Sequence, residues 1–201
     1  MMDFATAVFI LRRVNPHFLK IEPVSYSTMT YSLDINAECP EWGFLPVHGE
    51  SVEVLILGSF PSRQSLERKE YYGNPQNHFW HIIEALYDID RHLPYTIRIS
   101  RLTEHRIALW DILSGCCRNG SADVHIREPV FNDLAGFLRV HPEIRLVALN
   151  GSTAGRYYQQ MTISTLVPAV ILPSTSPANT RVSLPEKVSA WSIIRTQPPI
   201  Q

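Results

Sequence analysis

The sequence predicts an α/β protein, a parallel sheet covered on both faces by helices. Three observations predict it: four short apolar runs, a small polar cluster closing each of them, and helix-like stretches separating them. The first run, Val52 to Leu57, ends at Gly58 and reads as a buried parallel strand, because both of its faces are apolar. A long loop follows through Asn77, then a helix from about Phe79 to Tyr87 with apolar residues at Phe79, Ile82, Ile83, Leu86 and Tyr87. Ile107 to Trp110 is the second strand. After the Asn119-Gly120 loop, a helix is expected from about Pro129, since proline suits a first helical turn. Ile144 to Leu149 forms the third strand, closed by Asn150-Gly151, and a helix runs on to about Gln160. Leu166 to Leu172 is the fourth strand, Pro173 to Arg181 a loop, and Pro185 to Ile194 the final helix.

The 201 residues suffice for one domain with a substantial core, and 45% apolar with 18% charged residues is the composition of a globular chain. Residues 1–41 lack periodicity and read as an N-terminal extension of unknown role; residues 42–201 form the regular domain. The run Ala5 to Leu11 is too short to span a bilayer, and its basic pair, Arg12-Arg13, follows it where a secretory leader would have basic residues first. An intracellular, non-membrane protein is expected. The net charge of −1 is neutral evidence about nucleic acid, while 15 arginines against 3 lysines suit bidentate phosphate contacts or reflect genome composition. Three cysteines, two of them adjacent, make no disulfide framework and are too few for a four-cysteine cluster, so free thiols are expected. His78 and His81 lack a third ligand at metal spacing. No metal and no cofactor is expected.

In open parallel sheets, ligands bind outside the carboxyl ends of the strands. Here those ends carry Gly58-Ser59-Phe60-Pro61-Ser62, Asp111, Asn150-Gly151 and Ser174-Thr175-Ser176-Pro177-Ala178-Asn179, all small or polar, with aromatic residues near by. The loop Tyr71-Tyr72-Gly73-Asn74-Pro75-Gln76-Asn77-His78-Phe79-Trp80 adds four aromatic rings, three amides and a histidine without the period a core would impose.

Gly-Ser-Phe-Pro-Ser followed by this Tyr-Tyr-Gly-Asn-Pro-Gln-Asn-His-Phe-Trp loop resembles the first motif of the uracil-DNA glycosylase superfamily, and most nearly its hypoxanthine-DNA glycosylase (DNA-deoxyinosine glycosylase) branch. Leu172-Pro173-Ser174-Thr175-Ser176-Pro177-Ala178-Asn179 resembles the second motif. Leu109 to Leu113, Gly120 to Asp123, Asn132-Asp133 and Asn150-Gly151 lie between them in the expected order. The resemblance covers about Trp42 to Trp191. It implies a three-layer α/β/α sandwich around a four-stranded parallel sheet. The implied activity is hydrolysis, by water, of the N-glycosidic bond of a deaminated base flipped out of damaged DNA.

Two departures from the uracil-excising relatives direct the chemistry elsewhere. Phe60 stands where they carry an Asp or Asn before the proline, and Ser174 where their second motif often begins with His or Asn. The resemblance therefore moves the catalytic role to Asn77, whose amide would position water and stabilise developing charge, with Ser174 beside it. Phe60, Tyr72 and Asp111 are the base-binding candidates: Tyr72 matches a ring that stacks on the base, and the Asp111 carboxylate could accept from N1–H of hypoxanthine. Ser62, Ser176, Pro177, Ala178 and Asn179 are candidates for the DNA backbone and the intercalation loop. Asn77 could instead cap its loop, Asp111 could equally cap a neighbouring turn or helix, and Tyr72 could be a rim ring packed against the loop. Lys20, Lys69 and Lys187 lie on no matched motif, so a Schiff-base lyase step is not expected. Uracil or xanthine as the preferred base, and a catalytically silent nucleic-acid-binding domain, remain the alternatives, and the chain is expected to be a monomer.

Overall fold

The structure, a computed structural model, describes residues 40–121, 125–161 and 167–195. The N-terminal segment 1–39, with the Ala5 to Leu11 run, lies outside the described residues, as do Ala122, Asp123 and Leu166.

The central sheet has strands β2 (Val54–Gly58), β3 (Ile107–Asp111), β6 (Leu146–Asn150) and β7 (Ala169–Leu172), in the spatial order β3-β2-β6-β7 and all parallel. Alternation along each strand sends side chains to opposite faces. Leu55, Leu57, Ala108, Trp110, Val147 and Leu149 join one buried cluster with Leu134, Phe137, Ala154 and Tyr157, from helices α4 (Leu134–Val140) and α5 (Ser152–Gln160). Val54, Ile56, Ile107, Leu109, Leu146 and Ala148 join a second, with residues of α2 (Phe79–Tyr87), α3 (Tyr95–Glu104) and α6 (Leu184–Trp191). Two helical layers thus sandwich the sheet, as expected. Each fully buried valine, leucine, isoleucine or phenylalanine among them contributes about 1.5–3 kcal/mol.

The expected helix at Phe79–Tyr87 and the parallel strands are present, with strand ends shifted by up to two residues, except that the fourth strand, expected from Leu166, begins at Ala169. The helix expected from Pro129 is not. Arg127–Phe131 is instead strand β5, exposed along its length, antiparallel to β4 (Leu113–Cys117), which also pairs with β1 (Glu41–Trp42). Proline is tolerated because β5 is an edge strand and two register shifts interrupt its pairing. The helix begins only at Leu134, where the Asp133 side chain caps it by accepting from the Gly136 amide at 2.8 Å. The boundary expected between residues 41 and 42 falls inside β1. Cys117 is disulfide-bonded, which corrects the expectation of free thiols at that position.

Two helices go unannounced in the sequence: α1 (Arg63–Arg68), capped by Ser62, and α3. At the far end of the chain, Ser183 and Glu186 form a capping box for α6, and a single 3₁₀ turn, Ser192–Ile194, follows it.

The order β3-β2-β6-β7 contains a switch point. From β2 the chain moves outward to β3 through α2 and α3 on one face; from β6 it moves the other way to β7 through α5 on the opposite face. The loops leaving β2 and β6 therefore diverge and leave a crevice between them.

Candidate active site

The crevice is a cleft of about 1010 Å³ at the carboxyl ends of the strands. Gly58 ends β2 beside Asp111, its register partner at the end of β3. The Asp111 side chain occupies the space that a Cβ on residue 58 would fill, so only glycine there leaves room for the carboxylate. Asp111 is 4% exposed and lies near Tyr71 and Tyr72. Burial first, and the Asp111 charge second, push both phenols well above the ordinary tyrosine range, so both remain protonated donors.

Tyr72 is held at a positive φ of 55°, a left-handed conformation that costs a non-glycine residue about 1–3 kcal/mol. Two contacts offset the cost. Its ring stacks on Phe79 with centroids 3.8 Å apart and 16° between planes, and its hydroxyl bonds with the Asn150 side chain.

Asn150, at the end of β6, also fastens the second-motif loop. Its Oδ1 accepts from the Thr175 amide at 2.9 Å, and its Nδ2 donates to Thr175 Oγ1 at 2.9 Å. Thr175 is wholly buried, and its carbonyl accepts from the His78 amide at 2.9 Å. One threonine thereby joins β6, the loop before α2 and the loop after β7. Gly151 turns the chain at φ 94°, and Ser174 packs so closely that a Cβ on residue 151 would lie 2.8 Å from its Cβ.

Every sequence-predicted site residue lines this cleft. Asn77 does so while its Oδ1 accepts from the Phe79 amide at 2.9 Å, so it also caps the start of α2. Ser174 Oγ accepts from Ser176 N at 3.2 Å and Ser176 Oγ from Ala178 N at 3.3 Å, successive turns that leave Pro177 and Ala178 exposed at the loop tip. Asn179 Nδ2 closes that loop on the Ser174 carbonyl at 3.0 Å. Ser62 is committed as the cap of α1, accepting from Ser65 N at 3.2 Å. Phe60 is 7% exposed and packs into the core under the Arg118 guanidinium, 4.6 Å from its ring. Of the four loop aromatics, Tyr71, Phe79 and Trp80 belong to the core; Tyr72 alone is partly exposed.

Sequence reasoning missed Asn150 and Thr175 as the clamp, and it missed Lys187. Lys187 is fully buried: its Nζ donates to the Asn179 carbonyl at 2.9 Å and lies 3.3 Å from His78 Nδ1. Burial lowers its pKa. His78 is lowered too, by burial first and then by Lys187 and His81. Among the described residues no group of three His, Cys, Asp or Glu side chains could hold a metal ion, and no helix is long and apolar enough to cross a membrane.

A doubly wound sheet with a polar cleft at its switch point, walled by an amide, a carboxylate and a stacked phenol, defines an α/β protein with a ligand-sized cleft at the carboxyl ends of its strands. The sequence profile of the Uracil DNA glycosylase superfamily matches residues 46–195, and the chain belongs to that superfamily. It is similar to two proteins named hypoxanthine DNA glycosylase. One, from Methanosarcina acetivorans, is 36% identical over 76% of this chain and 96% of its own; the other, from Methanosarcina barkeri, is 33% identical over 75% and 94%. The solution NMR structure of a candidate uracil DNA glycosylase from Methanosarcina acetivorans superposes with a TM-score of 0.69 at 35% identity, covering 77% of this chain and 96% of that one. The chain is accordingly a DNA glycosylase, a hydrolase of N-glycosyl bonds acting on DNA.

Proposed function

We propose that the protein excises hypoxanthine from deoxyinosine in damaged DNA, as a monofunctional glycosylase of base excision repair. The observation that carries this reading is the meeting of Tyr72, Asn77 and Asp111 in one cleft whose first-motif position, Phe60, is turned into the core. A base flipped into the cleft lies on Tyr72, whose ring is already backed by Phe79. Asp111 accepts from the N1–H of hypoxanthine. Adenine has no N1–H and would set a lone pair against the carboxylate, so the same group rejects the normal base. Asn77 holds the attacking water: with Oδ1 fixed on the Phe79 amide, the side-chain amide is pre-oriented. The second lone pair of Oδ1 accepts from the water as its oxygen bonds to the sugar C1′, while the base departs with the glycosidic electron pair and takes up the proton the water releases. Ser174 stands at the cleft wall beside Gly151 to complete the water's surroundings. Pro177 and Ala178, exposed at the tip of the second-motif loop, fill the stack that the base leaves. Ser62, Ser176 and Asn179 contact the strand's backbone. Since the whole cleft comes from one chain, a monomer suffices, acting where intracellular DNA is.

Purified protein is incubated with inosine-, uracil- and xanthine-containing duplexes, and abasic sites are cleaved with alkali. Inosine-dependent cleavage that outruns the other two is the expected result. Uracil or xanthine cleaved faster would reassign the substrate. The capping bond of Asn77 is the one feature that favours a silent nucleic-acid-binding domain, and tight inosine-DNA binding without abasic product would establish that instead.

A further inference from the structure

Behind the loop that carries Asn77 lies a second cavity, of about 350 Å³, which shares Tyr72, Asn74 and Asn77 with the base cleft as a common wall. Its lining is cationic. Arg68, Arg91 and Arg98 face it with His81 and His92, against the single carboxylate of Glu70. Arg98 is a fixed cation: 8% exposed, its guanidinium 4.3 Å above the Trp80 ring, donating to the Leu93 carbonyl at 3.1 Å and to Glu70 Oε2 at 3.3 Å. Arg91 is paired with Glu84. Arg68, at the exposed end of α1, has no ion pair among the described residues. Counting Glu84 with its partner, three guanidiniums meet two carboxylates, and the excess positive charge resides on Arg68.

We propose that this cavity is a subsite for one phosphodiester of the DNA strand, bound by Arg68 and oriented by the rigid Arg98–Glu70–Trp80 wall. The wall shared with the base cleft argues for DNA over a free anion. A nucleotide whose base enters the cleft must carry its backbone across the rim, and only the Asn74–Asn77 loop separates that rim from the cationic cavity. The contact is sequence-blind. It holds the strand in register while Asn77, in the same loop, addresses the sugar. This inference rests on the chain being a DNA glycosylase, not on which base it prefers.

The test measures binding of the full chain to undamaged and inosine-containing duplexes between about 50 and 200 mM KCl, the range in which counterion release is large. Arg68→Gln is expected to weaken both duplexes alike and to reduce the slope of log K against log[salt] by about 0.9, the share of one phosphate contact. Arg68→Lys keeps the charge and should keep the slope. A scan of single methylphosphonates along the strand should find one position that weakens the wild-type complex but adds nothing to Arg68→Gln. An unchanged slope with Arg68→Gln, or additive losses at every methylphosphonate, overturns the proposal. So does a variant that loses inorganic phosphate binding alone. Wild-type protein that cuts none of the damaged duplexes would instead be a failure of the glycosylase reading, which the slope measurement does not touch.

Discussion

Asn150 grips Thr175 with both ends of its amide, accepting from the backbone N–H and donating to the hydroxyl, each at 2.9 Å. This pair is where a strand end and the second-motif loop become one rigid unit, since Thr175 is wholly buried and its carbonyl also holds the His78 amide. Thr175→Val keeps the shape but leaves the Asn150 Nδ2 without its acceptor, a loss of about 1–3 kcal/mol. Asn150→Ala strands two Thr175 groups and removes the partner of the Tyr72 hydroxyl. Urea unfolding should rank the two variants in that order. The fall in single-turnover excision should exceed the loss of stability for Asn150→Ala, because Tyr72 is released as well.

Gly58 makes room for Asp111, not for backbone flexibility, since its φ is not positive. Gly58→Ala should therefore fold. The added methyl displaces the carboxylate, and kcat/KM on inosine DNA should fall by about 10²-fold, the scale of one lost buried polar contact to substrate. Asp111→Asn, which leaves the space unchanged, should lower discrimination between inosine and adenine. Equal discrimination by wild type and Asp111→Asn would remove Asp111 from base reading.

Capping and catalysis at Asn77 can be separated by choosing the replacement. Serine retains an oxygen able to cap α2, whereas alanine loses it at about 1 kcal/mol. Both lack the amide. Asn77→Ser should keep the melting temperature while its single-turnover rate falls about 10²–10³-fold, as for loss of one pre-oriented transition-state group. A rate near wild type in Asn77→Ser would reduce Asn77 to a cap.

The parallel sheet was legible because strands buried on both faces must be continuously apolar, and Val54 to Leu57, Ile107 to Trp110 and Leu146 to Leu149 are. Helix α2 was legible to the residue, since its buried positions, among them Phe79, Ile82, Ile83 and Leu86, follow the helical period. Helix α3 was not: its buried residues are Arg98 and Leu102, and an arginine at a core position carries no apolar signal. Helix α1 buries only Ser65. Pro129 misled because the same residue suits a helix start and an edge strand, and only pairing with β4 decides between them. The cleft residues were legible as strand ends. The clamp through Thr175 was not, because a threonine inside a polar loop gives no sign of burial. Lys187 was hidden because a lysine on a helix reads as a solvated position, although here it is buried.

Lys187 and His78 make the site sensitive to acid in a direction that can be worked out. Burial, Lys187 and His81 hold the His78 pKa below the ordinary histidine value. As pH falls through about 6.5, the unfolded chain takes up this proton before the folded one does. The contribution of neutral His78 to stability is therefore complete above about pH 6.5 and is lost as pH drops toward the folded pKa. Lys187→Met removes the second cause and leaves the first, so the His78 value should rise part of the way to normal, read by NMR titration of its ring. The acid loss of stability below about pH 6.5 should then become shallower, even though the variant is less stable at pH 8 by about 1–3 kcal/mol for the donor withdrawn from the Asn179 carbonyl. A His78 titration unmoved by Lys187→Met would mean that burial and His81 depress it without help from Lys187. Lys187 would then act on the second-motif loop only through Asn179.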